Sequence, residues 1–422
     1  MRASHRVLQR FVPRELGTAS KALIEKEGKY GAENYSPLPV VLNQGKGTRV
    51  WDVDGNSYLD FLSAYSAVNQ GHCHPKIIEA LHQQASRLTL TSRAFHNDML
   101  GPWCELATSV FGFERLLPMN SGVEACETAI KLARRYAYDI RGFSENSARV
   151  IFAQGNFWGR SISAVSSSND PSSYTGFGPF TPGFTLVPYG NIEALENEFK
   201  KGNCAAFCVE PIQGEAGVIV PPSGYLAACR QLCDEYAVLL ICDEVQTGIG
   251  RTGKLLCSTG HENVRPDILT LGKALSGGIF PVSAILTSSE IMLTIRPGEH
   301  GSTFGGSPLA CAVATAALKA LLDEGMIDNA ALMGERLHNG LVDLCRRRPK
   351  VAVDTRGRGL LRALIVANSD ASDVCLALRD LGLLAKPTHN NVIRLAPPLI
   401  ITADEIDSAL HIFDEALSIF DD

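Results

Sequence analysis

No apolar stretch in this 422-residue chain approaches the ~18 residues that a membrane-crossing helix needs, so none is expected. Basic residues are not in excess either. Lys and Arg number 39 against 45 Asp and Glu, a net charge of −6. That balance argues against nucleic acid as the main partner, because such binding demands a basic patch. There is no secretory apolar core near the start and no internal repeat. A disulfide framework is missing too, although cysteine itself is plentiful at 12 residues. Cys204/Cys208 and Cys229/Cys233 stand in apolar segments and read as buried thiols of a chain kept in a reducing compartment. No metal is expected at the string "GHCHP" at 71–75, because histidines two apart on a turn seldom reach one ion and no other ligand pair stands nearby in sequence.

What is present is an ordinary globular composition, 45% hydrophobic and 20% charged. At roughly 150 residues per domain the length allows two or three domains. The first residues, "MRASHRVLQRFVPREL", carry Arg2, Arg6, Arg10 and Arg14 and no acid before Glu15. That is the composition of an organelle transit peptide or of an ordinary basic amphipathic start, so the mitochondrial matrix or the cytoplasm is expected. In "GTRVWDVDGNSYLDFL" the pair Asp54-Gly55 predicts a hairpin. "EACETAIKLARRYAYDIR" predicts a helix with Ala129, Leu132, Ala133 and Tyr136 on one face. "RVIFA", "FTLVP", "AAFCVE", "VLLICD", "DILTLG" and "VSAILT" predict buried strands of a mostly parallel sheet. Alternation of such strands with helices predicts a doubly wound α/β domain, with ligands at the carboxyl ends of its strands. Residues 166–173 read as a polar loop. After about residue 315 long amphipathic helices and short strands predict a second, smaller domain.

Gly248-x-Gly250-x-x-Gly253-Lys254 resembles two nucleotide-binding strings, but its context fits neither. Leu255 stands where a phosphate-binding loop needs Ser or Thr, and "KLLCSTG" does not read as the helix that a dinucleotide turn must open. The acid before that turn is more informative. Asp243 ends a buried strand, and Gly272-Lys273 ends another 30 residues later (273 − 243). An acid and a lysine at neighbouring strand ends suit pyridoxal phosphate, which needs a lysine amine for its Schiff base and a carboxylate on its pyridine nitrogen. Its phosphate needs backbone donors at a helix start, and Ser121-Gly122-Val123 offers them.

In order along the chain stand "NSGVEACETAIKLAR", "GNFWGR", "EPIQGEAG", "CDEVQTGIGRTG", "TLGKALSGG" and "HGSTFGG". Together they resemble the class III (subgroup II) aminotransferases, of pyridoxal phosphate fold type I. "GKYGAENYSPLPV", "LTSRAFHND", "SYTGFGPFTPGF" and "GLLAKPTHNNVIRLAPPL" are similar to the branch acting on ornithine. The resemblance implies a large cofactor-binding domain at 61–315. It also implies a smaller α+β domain built from 1–60 and 316–422. It implies L-ornithine and 2-oxoglutarate as substrates, and a homodimer with shared active sites. By it, Lys273 and Asp243 are catalytic, Gln246 bonds the ring hydroxyl, and Val245 and Phe157 cover the two ring faces. Ser121, Gly122 and Val123 hold the phosphate, joined by Ser302 and Thr303 of the partner subunit. Ser121 stands where the family often has threonine. Tyr35 holds ornithine's α-amine, Arg160 its α-carboxylate, Tyr65 lines the pocket, and Glu215 pairs with Arg394. Relatives acting on acetylornithine or 4-aminobutyrate, and decarboxylases or aminomutases of the same fold, share the cofactor residues. A non-enzymatic scaffold gives no reason for Lys273, Asp243 and Gln246 together.

Overall fold

Residues 13–367 and 370–421 are described by the structure, a computed structural model. Three of the four arginines of the basic start, Arg2, Arg6 and Arg10, lie outside them. Contacts divide the chain into two units. The larger comprises Pro75–Gly250 and Lys254–Glu324. The smaller joins the segment up to His74, Arg251–Gly253, and the chain from Gly325 onward. The sequence places the boundaries after residues 60 and 315; the contacts place them after 74 and 324.

The larger unit is built on seven strands: β1 (Arg115–Met119), β2 (Arg149–Ala153), β3 (Phe184–Val187), β4 (Cys204–Val209), β5 (Leu239–Asp243), β6 (Ile268–Leu271) and β7 (Ser283–Thr287). Their order across the sheet is β1-β7-β6-β5-β4-β2-β3. The pairs from β6 through β3 are parallel, and β7 runs antiparallel to both β1 and β6. Every residue of β4, β5, β6 and β7 is buried, as expected for strands covered on both faces. Because side chains alternate, Ile241 and Ile268 face one apolar cluster while Leu240 and Cys242 face the other.

Helix α1 (Gly122–Asp139) covers the first of these faces. Its sequence opens with Ser-x-x-Glu, and both halves of a capping box form: Ser121 Oγ accepts from the Glu124 amide at 3.4 Å, and Glu124 Oε2 accepts from the Ser121 amide at 2.7 Å. Ala129, Leu132 and Ala133 are buried as the periodicity predicts, and Tyr136 packs at the edge of the same cluster.

Three local expectations are corrected. Strand β1 was not among the predicted strands. Its "RLLPM" contains Pro118, which is tolerated because β1 is the sheet edge. Residues 166–173 are not one loop: helices Ile162–Ser166 and Pro171–Tyr174 flank a bend, and Asp170 caps the second by accepting from the Ser172 amide at 2.9 Å. "KLLCSTG" does enter a helix, Cys257–Glu262. Its first amides are satisfied by Glu244, which accepts from Cys257 N at 2.7 Å and Ser258 N at 2.8 Å. That cap comes from 13 residues upstream, where local pattern does not reach.

The described residues of the smaller unit form two four-stranded sheets. One joins Leu42–Lys46, Arg49–Asp52, Ser57–Asp60 and Leu383–Leu384. The predicted hairpin forms there, with Gly55 at φ +86° and Asp52 Oδ1 accepting from the Asp54 and Asn56 amides. The other is antiparallel and joins Ala352–Arg358, Leu361–Val366, Val392–Leu395 and Lys386–Thr388. The glycine-rich turn supplies Arg251 to this unit. Its guanidinium is fully buried and donates to the Leu360 carbonyl at 3.0 Å, the Pro397 carbonyl at 2.6 Å and Asn69 Oδ1 at 2.5 Å. Arg251 is thus committed to protein carbonyls. None of the twelve cysteines, all among the described residues, is in a disulfide, and Cys204, Cys208, Cys229 and Cys233 are buried. In "GHCHP", His72 Nε2 lies 2.7 Å from Asp60 Oδ2.

Candidate active site

A cavity of about 230 Å³ opens at the carboxyl ends of the central strands, where a doubly wound sheet binds its ligands. Asp243, the last residue of β5, Glu210, the residue after β4, and Lys273, two residues after β6, line it together. Gly122 and Val123, the first turn of α1, close another side. Lys273 sits at φ +45°, a left-handed backbone that costs a non-glycine residue roughly 1–3 kcal/mol and persists where surroundings enforce it.

The carboxylates differ in their partners. Asp243 Oδ1 accepts from the Val245 amide at 3.0 Å and from Thr270 Oγ1 at 3.0 Å. Asp243 Oδ2 accepts from the Cys126 thiol at 3.4 Å. Burial raises the carboxyl's pKa, against the Val245 amide, the charge of Lys273 and the Cys126 and Thr270 donors. Glu210 Oε1 accepts from the Phe157 amide at 3.0 Å. Its pKa is pushed up to about 8, first by burial and then by the charge of Asp243. Glu244, beside Asp243 in sequence, is spent on structure: besides its two amide partners it accepts from Ser258 Oγ at 2.6 Å and Thr247 Oγ1 at 3.0 Å.

Two glycines let side chains settle over the cavity. A Cβ at Gly214 would fall 1.3 Å from Gln246 Oε1, so the Gln246 amide can lie only against a glycine. A Cβ at Gly122 would meet Val245 Cγ1 at 3.0 Å, which places Val245 against the start of α1. Phe157 also lines the cavity, and the Arg160 guanidinium stands 5.5 Å from its ring centroid.

Lys273, Asp243, Gly122, Val123, Phe157, Val245, Gln246 and Glu215 therefore meet in one cavity. Ser121 is the cap of α1. Ser302 Oγ accepts from Asn120 Nδ2 at 2.7 Å, one residue before that cap, and Thr303 is exposed. Tyr65 and Arg394 lie together in the smaller unit, guanidinium to ring centroid 4.6 Å, and Tyr35 is on the surface. Glu210 was missed as a site residue. The signal was available: it ends the buried run "AAFCVE" just as Asp243 ends "VLLICD".

The family described as "Aminotransferase class-III" matches residues 30–417. The chain belongs to the class-III aminotransferases. Among relatives, "Ornithine aminotransferase, mitochondrial" of Rattus norvegicus is 56% identical over 405 residues, covering 95% of this chain and 91% of that protein. The crystal structure of the ornithine aminotransferase from Toxoplasma gondii ME49 superposes with a TM-score of 0.93 at 47% identity, covering 96% of each chain. That of an acetylornithine aminotransferase from Elizabethkingia anophelis gives 0.86 at 50% identity, covering 94% of this chain and 99% of that one. As a class-III aminotransferase the protein uses pyridoxal phosphate, and its cavity fits that group. An amine stands among buried carboxylates, a helix start presents amides, and apolar Val245 and Phe157 line the walls.

Proposed function

We propose that this chain transfers the δ-amino group of L-ornithine to 2-oxoglutarate, giving glutamate-5-semialdehyde, which cyclises to pyrroline-5-carboxylate, and glutamate. The observation that carries the amino transfer is Lys273, held in a strained backbone in a cavity with Asp243. Ornithine is supported by the relatives, 56% and 47% identical, that bear its name.

Bound pyridoxal phosphate supplies an aldehyde carbon that exchanges amines and a ring that withdraws electrons. Lys273 Nζ would be the amine that holds that aldehyde, and it stands in the cavity as the base that would take the proton from ornithine Cδ. Asp243 would hold the proton on the ring nitrogen. Gln246 would bond the ring hydroxyl, Val245 and Phe157 would pack against the ring, and Ser121, Gly122 and Val123 at the start of α1 would hold the phosphate. Tyr35 and Arg160 take ornithine's α-amine and α-carboxylate, beside Tyr65. Glu215 masks Arg394 during the ornithine half-reaction and yields it to 2-oxoglutarate in the second.

The assembly in this reading is a homodimer in which Ser302 and Thr303 complete the partner's phosphate site. Thr303 and the half-exposed Phe304, following the Asn120–Ser302 contact, support it. The compartment is the mitochondrial matrix, supported by the basic start and by mitochondrial relatives. Among the described residues no helix is long and apolar enough to cross a membrane.

The acetylornithine aminotransferase structure, 50% identical, favours a second reading in which the α-amine is acetylated. Adding each amine to the purified protein while following the cofactor's visible absorbance separates the two. Ornithine should bleach the band, while acetylornithine and 4-aminobutyrate leave it. Bleaching by acetylornithine alone sinks the proposal.

A further inference from the structure

Asp243 and Thr270 are direct register partners in the parallel pair β5–β6. Paired residues on parallel strands point to the same face, so both continue the columns begun by Ile241 and Ile268 on the side covered by α1. Cys126 reaches that spot from the second turn of α1. The Thr270 hydroxyl and the Cys126 thiol thus approach Asp243 from two elements, one on each carboxylate oxygen, at 3.0 and 3.4 Å. Their own separation, Sγ to Oγ1, is 3.9 Å. All three side chains are buried.

From this geometry we propose that Thr270 and Cys126 form a donor pair that orients Asp243 and keeps it ionised, making both positioning residues for the ring nitrogen of pyridoxal phosphate. The inference rests on the reading of Asp243 as the partner of that nitrogen. A carboxylate removed from water needs donors to remain charged. Besides the pair, the donors and charges facing Asp243 are the Val245 amide and Lys273, with the acids Glu210 and Cys208 opposing. Burial and the charge of Asp243 hold the Cys126 thiol well above its usual range, so it remains an S–H donor. With the Thr270 hydroxyl on Oδ1 and the thiol on Oδ2, rotation of the carboxylate would break both bonds.

The test is the affinity of the cofactor-free, full-length protein for added pyridoxal phosphate, followed by fluorescence quenching across pH. Thr270→Val keeps shape and removes the hydroxyl, while Thr270→Ser keeps the hydroxyl and removes a methyl. Loss of a buried bond to a charged group is expected to weaken binding about tenfold or more in Thr270→Val, with Thr270→Ser staying near wild type. Cys126→Ala, which loses a weaker donor, should bind several-fold less tightly, with Cys126→Ser restoring affinity. In Thr270→Val and Cys126→Ala the acid-side loss of affinity should also begin at higher pH, because Asp243 protonates sooner. Packing alone predicts the reverse order, Ser worse than Val, and that result overturns the proposal. If Thr270→Val does not fold, the Cys126 variants decide by the same comparison. Asp243→Asn separates the two levels. If it binds as wild type, the reading of Asp243 falls and the donor pair with it. If it binds weakly while Thr270→Val and Cys126→Ala bind normally, the donor pair alone is overturned.

Discussion

Glu210→Gln removes one buried acid while keeping its size. In the cofactor-free protein the Glu210 pKa is raised from 4.5 to about 8, by burial and then by Asp243. A carboxyl with a raised folded-state pKa favours folding fully below its unfolded pKa, and that contribution is lost as pH rises through the folded value. The whole shift corresponds to roughly 5 kcal/mol, and the part falling between pH 6 and pH 8 to about 2 kcal/mol. Wild type should therefore lose about 2 kcal/mol over that interval through this group. Glu210→Gln should lose none of it. The variant carries an offset of its own, because Glu210 accepts from the Phe157 amide at 3.0 Å and the Gly214 amide at 3.4 Å. A glutamine oxygen can serve only one of them, at a cost of roughly 1–3 kcal/mol. The stability gap, wild type minus variant, should be widest near pH 6 and shrink toward pH 8. Urea unfolding of both cofactor-free proteins at half-unit pH steps measures it, and the subtraction cancels every titrating group they share. Parallel stability curves from pH 6 to pH 8 would refute the claim that Glu210 holds its proton in this cavity.

Three further outcomes follow from the proposed roles. Lys273→Ala should still bind pyridoxal phosphate but lose turnover, and borohydride reduction of wild type followed by peptide mapping should label Lys273; a label on another lysine removes the assignment. Glu215→Ala should speed the single-turnover half-reaction with glutamate and slow the one with ornithine, and an unchanged rate ratio means no switch operates. Mixing Lys273→Ala with Thr303→Ala protomers should change activity only as heterodimers form, and active monomers in sedimentation would end the shared-site reading.

Much of this architecture was legible because it is written in local composition. Runs such as "VLLICD" are long enough in Val, Ile, Leu and Cys to mark buried strands without help from the rest of the chain. Ser121-x-x-Glu124 marks the start of α1 by the same local logic. What escaped was set by distant partners. Helix Cys257–Glu262 depends on a cap from Glu244, and Pro118 hides β1 because only its edge position permits a proline. Glu210 obeyed the rule that exposed Asp243, an acid closing a buried strand. Thr270 and Cys126 could not be found that way: what aims them at Asp243 is strand register and the seat of α1.

Backbone strain adds a signal that no residue string carries. Ser63, Ala64, Tyr65 and Ser66 all take left-handed angles, with φ of 48°, 48°, 62° and 70°, and none of them is glycine. Such a turn disfavours L-residues by roughly 1–2 kcal/mol each, so neighbours must enforce it. One visible neighbour is Arg394, buried in the strand Val392–Leu395 with its guanidinium over the Tyr65 ring. Val218, at φ +57° in the loop that carries Glu215, and Lys273, at φ +45°, are held in the same region. These three segments contain Tyr65, Glu215 and Lys273, three of the residues to which the family resemblance gives the substrate and the cofactor. Sequence reasoning reached Tyr65, Glu215 and Lys273 through motif; the backbone adds a strain at or beside each of them, a cost that persists where surroundings enforce it.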